Sequence, residues 1–168
     1  MLPFYIPLPF MDQTRNSFEL PITWNIPVLI LLTLIFDRRV VLRAFSIYLI
    51  IGLFFYPVFY NGGSVGYLLT PNFGYLLGTY PLIFIIDKLN KNNNLKVISF
   101  LKNGFLAISV MHLTGIFYNF IQVIFYSKFN LFLYNLGKYS LGKIGYHFLM
   151  LLPLLLLIKP IERLKRIK

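Results

Sequence analysis

Asn61–Gly78 reads NGGSVGYLLTPNFGYLLG and lies inside a stretch with no charge at all, Ala44 to Ile86. That stretch is too long for one membrane helix of about 20 residues and right for two. Its five glycines, proline and polar Asn, Ser and Thr mark the break between them. The segment therefore predicts helices over 40–59 and 73–87, with an external loop at 60–72. Glycines at 62, 63 and 66 permit positive φ and leave backbone amides open to a ligand. Pro71 fixes the turn and Asn72 is placed to cap the next helix. The start of that helix would then offer free N–H groups to an anionic or carbonyl-bearing ligand. The plainer alternative is a tight external turn followed by a Gly74-x-x-x-Gly78 face that packs against another helix. The doubled Gly-Tyr-Leu-Leu is not a repeat, because the first copy falls in the loop and the second opens a helix.

The rest of the chain agrees with a membrane environment. It has 168 residues, 58% of them hydrophobic, against about 45–50% for soluble domains. It contains no cysteine, which excludes disulfides and thiolate metal sites. The net charge is +11, but the basic residues stand between apolar segments, so they read as anchors at the bilayer surface and not as a nucleic-acid face. MLPFYIPLPF is neither a signal peptide nor a span. It lacks a basic start, and prolines at 3, 7 and 9 break any helix longer than a turn.

The charges divide the chain into an all-α polytopic membrane domain covering 1–168. Its five spans are placed at about 20–36, 40–59, 73–87, 97–125 and 141–158, followed by a basic tail at 159–168. Twelve of the sixteen Lys and Arg fall in three segments that alternation puts on one side: Arg38, Arg39 and Arg43; Lys88, Lys91, Lys96 and Lys102; and Lys159, Arg163, Lys165, Arg166 and Lys168. By the positive-inside rule that side is the cytoplasm. The C-terminus is then inside, and the N-terminus and the 60–72 loop are outside. An odd count with an external start leads to the expectation that a further helix lies upstream.

Catalysis is not expected. The five carboxylates, Asp12, Glu19, Asp37, Asp87 and Glu162, fall at segment ends or in loops, and no acidic pair sits inside a span where a proton relay would put one. There is no P-loop and no nucleophile elbow, and no cofactor is implied. His112 lies mid-span, with Asn119 on the same helical face and Gly115 between them. That face either packs helices closely or looks into a cavity.

Several stretches resemble the BioY family. PITWNIP is similar to the family's P-F-T-x-Q-x segment, and IYLIIGLFFYPVFYNGG to its LYLLLGxxGxPVFxxGG. GYLLTPNFGYLLG is similar to its GxxxLxGPTxGYLLGF, and MHLTGIFY to its later IYxxG helix. The resemblance is collinear from about Pro21 to the C-terminus. It implies the biotin-binding substrate subunit, or S component, of an energy-coupling factor transporter in the plasma membrane. That fold has six helices, and the five spans here correspond to helices 2–6. Its partners are biotin, the bilayer, a transmembrane coupling subunit and a pair of ATPase subunits.

The resemblance also implies a site. Asn61, Gly62 and Gly63 would bond a ureido or carboxylate group. Pro71, Gly74 and Tyr75 would form a wall, and Tyr48 and Phe59 would give apolar contact. Thr23 and Asn25 would serve as outer-gate or ligand contacts, with His112 as a further contact. The family opens its last helix with L-P-G-D-x-x-K, whose Asp and Lys help hold biotin. Here the stretch is KIGYHFLM, with Tyr146 at the Asp position and Leu149 at the Lys position. Lys143 or backbone amides are then expected to meet the ligand carboxylate, and His147 is the other nearby substitute. Two alternatives remain: an S component for another vitamin, and a membrane scaffold whose glycines serve packing alone.

Overall fold

A computed structural model of the chain describes residues 3–7, 17–23, 25–59, 63–90, 96–126 and 129–167. The body is helical. Before it stands a small antiparallel hairpin, β1 (Pro3–Pro7) with β2 (Ser17–Thr23). The prolines that forbid a helix are compatible with this pairing. Pro3 and Pro7 end β1, and Pro21 falls in the bulge where the register jumps from Leu20 to Thr23. A residue without an N–H is tolerated at strand ends and bulges. The first helix consequently begins at Asn25, later than the span placed at 20–36.

The described helices run α1 (Asn25–Ile35), α2 (Arg38–Phe54), α3 (Pro71–Leu77), α4 (Thr79–Asn90), α5 (Val97–Tyr126), α6 (Phe129–Asn135), α7 (Gly142–Leu149) and α8 (Leu151–Ile167). A 3-10 turn at Val65–Leu69 precedes α3, and a π-helical segment at Leu136–Leu141 joins α6 to α7. The stretch at 73–87 is thus two helices meeting at Gly78. Two continuous runs, Val97–Phe125 and Phe129–Arg163, are each long and apolar enough to cross a membrane. Large apolar side chains such as Ile47, Phe54, Leu113, Phe117 and Leu156 point outward and are exposed. Water would not tolerate an apolar surface of that extent on a monomer, whereas hydrocarbon does.

Two clusters form the interior. Ile30 and Leu34 of α1, Leu82 and Ile86 of α4, Phe100 and Ile108 of α5, and Leu154 and Ile158 of α8 make the first. Leu29 of α1, Val41, Phe45 and Leu49 of α2, Phe73 and Leu76 of α3 and Ile83 of α4 make the second, with Phe59 and Tyr67. Arg38 ties the start of α2 to the far end of α4 through Asp87 at 3.6 Å, and stacks over Phe84 at 4.6 Å. The Arg38 and Asp87 ends therefore share one end of the bundle.

Helix α5 is crossed closely by the α3–α4 pair. A Cβ added at Gly74 would meet the Tyr118 side chain at 2.4 Å, and one at Gly115 would meet the Tyr75 ring at 2.4 Å. Each glycine makes room for an aromatic of the other element, so Gly74 and Gly78 do form a packing face. Just before them, Tyr118 and Gln122 of α5 both donate to the Leu68 carbonyl, which staples the 3-10 turn to the helix. Thr70, not Asn72, occupies the cap position of α3, and Pro71 is its first helical residue, where a missing N–H costs nothing.

Ser64 has φ 135° and ψ 169°, a region that side chains other than glycine's rarely adopt. Its backbone N–H donates to the Gly52 carbonyl at 3.1 Å, which holds it there. Strain of this kind costs about 1–3 kcal/mol. Ser64→Gly is accordingly expected to raise the thermal midpoint by a few degrees, read by a melting curve in detergent. A lowered midpoint would contradict the strain.

Candidate ligand-binding site

Between the two clusters lies a cavity walled by Asn25, Ile26 and Leu29 of α1, Phe45 of α2, Asn72, Tyr75 and Leu76 of α3, Met111 of α5, and Lys143 and His147 of α7. Thr79 and the π-segment residue Tyr139 complete it. Its enclosed volume is about 50 Å³. A second cavity of about 240 Å³ adjoins it between α1 and α2, lined by Val28, Leu32, Val41, Ala44 and Tyr48, and the two share Asn25, Leu29 and Phe45. Small-ligand sites usually enclose about 300–1,000 Å³. A ligand of that class needs more room than the inner space alone offers.

The polar side is built by the π segment. Its extra residue per turn brings Tyr139 toward the cavity and Ser140 behind it; such segments often accompany functional sites. Ser140 is buried, and its hydroxyl lies 2.7 Å from the Tyr75 hydroxyl and 3.3 Å from Nδ1 of His112. Nε2 of His112 lies 2.9 Å from Nδ1 of His147. The second ring nitrogen of His147, Nε2, is buried with no hydrogen-bond partner. Four groups from four elements thus form one chain, ending at His147, a residue that lines the cavity. Lys143, one turn earlier on α7, lies 5.6 Å from the Tyr139 ring centre. Tyr139, Lys143 and His147 all line the same wall. Among the described residues no group of three metal-ligating side chains occurs.

The residues singled out from the sequence separate into groups. Asn25, Tyr75 and Lys143 line the inner cavity, and Tyr48 lines the adjoining one. His112 is one residue removed, behind His147. Phe59 is buried in an aromatic stack with Tyr48 and Tyr67 and fills the space above Gly52. Gly63 packs on the end of α2, where a Cβ would lie 2.5 Å from the Gly52 carbonyl oxygen. Gly74 faces Tyr118, as described above. Pro71 lines a different space, of about 260 Å³, with Asn119, Gln122 and Asn135. Thr23 ends β2. Asn61 and Gly62 lie outside the described residues. Tyr146 is half-buried and lines none of these three cavities, and Leu149 is 59% exposed.

The polar face of α7 is therefore the Lys143–His147 face and not the Tyr146–Leu149 face. The four-residue spacing of Tyr139, Lys143 and His147 was the available signal. Ser140 carried none, because its partners lie 65 and 28 positions away, and Thr79 bonds only the local Leu76 carbonyl, at 2.7 Å. The His112–Asn119 face bonds to neighbouring elements, and Asn119 but not His112 lines one of these cavities. His112 joins the cavity chain, and the Asn119 amide oxygen accepts a bond from Asn135 Nδ2 at 3.0 Å.

The family model for the BioY family matches residues 4–152. The chain belongs to the BioY family. The match begins in the hairpin, upstream of the point from which motifs are legible, and runs into α8. No curated protein and no solved structure matches the chain. BioY proteins are vitamin-transporter components and not enzymes, and the outward apolar helices fit a membrane protein of that kind.

Proposed function

We propose that the chain captures biotin as the S component of an energy-coupling factor transporter in the plasma membrane. The observation that carries this reading is the BioY match over 4–152. The cavity supports it: Ile26, Leu29, Phe45, Leu76 and Met111 give an apolar body suited to a thiophane ring and aliphatic chain. Asn25 and Asn72 offer amide groups for a ureido ring. Lys143 and His147 offer positive charge and an imidazole for a carboxylate. The family's Asp and Lys positions are thereby replaced by residues on the neighbouring face of the same helix.

By the positive-inside rule we read the Arg38 end, the Lys88–Lys102 connection and the tail as cytoplasmic. The Arg38–Asp87 contact supports that placement by putting the first two at one end. Transport is then powered by a separate coupling subunit and ATPases, since the chain has no P-loop.

Purified protein in detergent or nanodiscs is expected to bind labelled biotin, and the unlabelled vitamin to compete. A biotin-requiring host expressing the chain, with and without coupling subunits, then reads uptake. Competition by a different vitamin in place of biotin would reassign the ligand. A well-folded protein that binds no vitamin would favour a scaffold.

A further inference from the structure

Tyr139 lines two spaces at once. One is the inner cavity, and the other is the space of about 260 Å³ that Pro71 lines. Among the described lining residues Tyr139 alone belongs to both. The outer space holds three carboxamides, Asn119 and Gln122 of α5 and Asn135 of α6, set among Leu69, Val123 and Leu131. None of its described lining residues is charged, whereas the inner cavity has Lys143. Along α5 the inner cavity touches Met111 and the outer one touches Asn119 to Val123. At about 1.5 Å per residue, the outer space lies roughly 12–18 Å farther from the Lys102 end of that helix. It therefore sits toward the end opposite the one read as cytoplasmic.

We propose that this space is an outer subsite that receives a neutral amide or ureido group of the incoming ligand, with the Tyr139 ring as the partition between it and the inner cavity. The inference rests on the inner cavity being the ligand site proposed above. A carboxamide offers both donors and an acceptor, which suits a group that carries both. Burying a charged group among carboxamides, with no counter-charge, would be costly. Asn119 is 1% exposed and only one end of its amide is engaged. Its Oδ1 accepts from Asn135 Nδ2 at 3.0 Å, while its own Nδ2 has no partner. Tyr139 is half-buried, with its ring centre 6.3 Å from that of Tyr75 and 5.4 and 5.6 Å from the ammonium groups of Lys138 and Lys143. Passage between the two spaces then means displacing this one ring. Gly137, two positions earlier in the π segment, meets nothing within 4 Å of where a Cβ would lie, so the segment is not wedged there.

The chain has no cysteine, so a single introduced thiol reports on one space at a time. Leu131→Cys marks the outer space and Thr79→Cys the inner one. In nanodiscs, a small charged methanethiosulfonate is expected to modify Leu131→Cys readily and Thr79→Cys slowly. Adding Tyr139→Ala is expected to speed the Thr79→Cys reaction at least tenfold and to leave Leu131→Cys within twofold, whereas Tyr139→Phe keeps the slow rate. Fast modification of Thr79→Cys with Tyr139 in place would overturn the partition. So would no acceleration in Tyr139→Ala, or an equal acceleration of both thiols. For the subsite, ethyleneurea, a small cyclic urea, is expected to slow modification of Leu131→Cys, and cyclopentanone, which lacks the N–H groups, to leave it unchanged. Asn119→Leu is expected to abolish that protection, with Asn135→Leu used where the first variant does not fold. Equal protection by the two probes, or by neither, would overturn the amide subsite. Absence of biotin binding with these results intact would instead sink the vitamin assignment and leave the subsite and its partition standing.

Discussion

Gly78→Val is expected to lower the thermal midpoint of the solubilised protein more than any other single change at a glycine of the helical body, and to cut the yield of monodisperse material. At Gly78 the chain passes from α3 to α4 while lying directly on α5. A Cβ there would sit 2.5 Å from the Met111 carbonyl oxygen and 3.0 Å from its Cα. Both contacts are backbone, so no side-chain rotation relieves them and a helix must move. Overpacking costs about 1–3 kcal/mol, and more where nothing yields. The loss reaches the site as well, because Met111 lines the cavity and His112 follows it. Gly145→Ala is the control. Nothing lies within 4 Å of a Cβ there, and replacing a helical glycine by alanine gains up to about 1 kcal/mol. Equal midpoints for Gly78→Val and wild type would show that α3–α4 does not rest on α5 as described.

That crossing was legible in the sequence as Gly74-x-x-x-Gly78, because close helix approach leaves a local, periodic trace. The hairpin was not. Prolines at 3 and 7 excluded a helix, but the partner of β1 is set by pairing with Ser17–Thr23, and pairing has no local signature. The same limit explains the site. Lys143 and His147 are visibly on one helical face, yet a motif read by position drew attention to Tyr146 and Leu149, one residue further round. The polar chain joins Tyr75 to Ser140, and His112 to residues 28 and 35 positions away. Only the fold brings such separations together. The loop glycines show the converse. Gly63 looked like a ligand contact because glycines expose amides, but its neighbours are Gly52, Pro57 and Tyr56 of its own entry from α2. Its freedom from a side chain serves a tight return of the chain.

Charge reversal at Lys143 is expected to have the largest effect on ligand binding. Lys143 lines the inner cavity close to Tyr139, and His147 lies one turn beyond. Opposite unit charges about 4 Å apart attract by roughly 4 kcal/mol at an effective dielectric of 20, though removing both from water offsets part of this. Lys143→Met deletes the attraction and keeps the apolar stem, so biotin affinity is expected to fall about tenfold, or roughly 1.4 kcal/mol. Lys143→Glu replaces attraction with repulsion, and a fall of about a hundredfold or more is expected, roughly 2.8 kcal/mol. A neutral biotin amide separates charge from shape. Its affinity should change little in Lys143→Met and far less than that of biotin in Lys143→Glu. Isothermal titration of both ligands against the two variants makes the comparison. If the amide and the acid weaken equally, Lys143 acts through the shape of the wall and the carboxylate lies elsewhere. If only the acid weakens, the carboxylate lies at the α7 end of the cavity, and the ureido ring is left to Asn25 and Asn72 at the other.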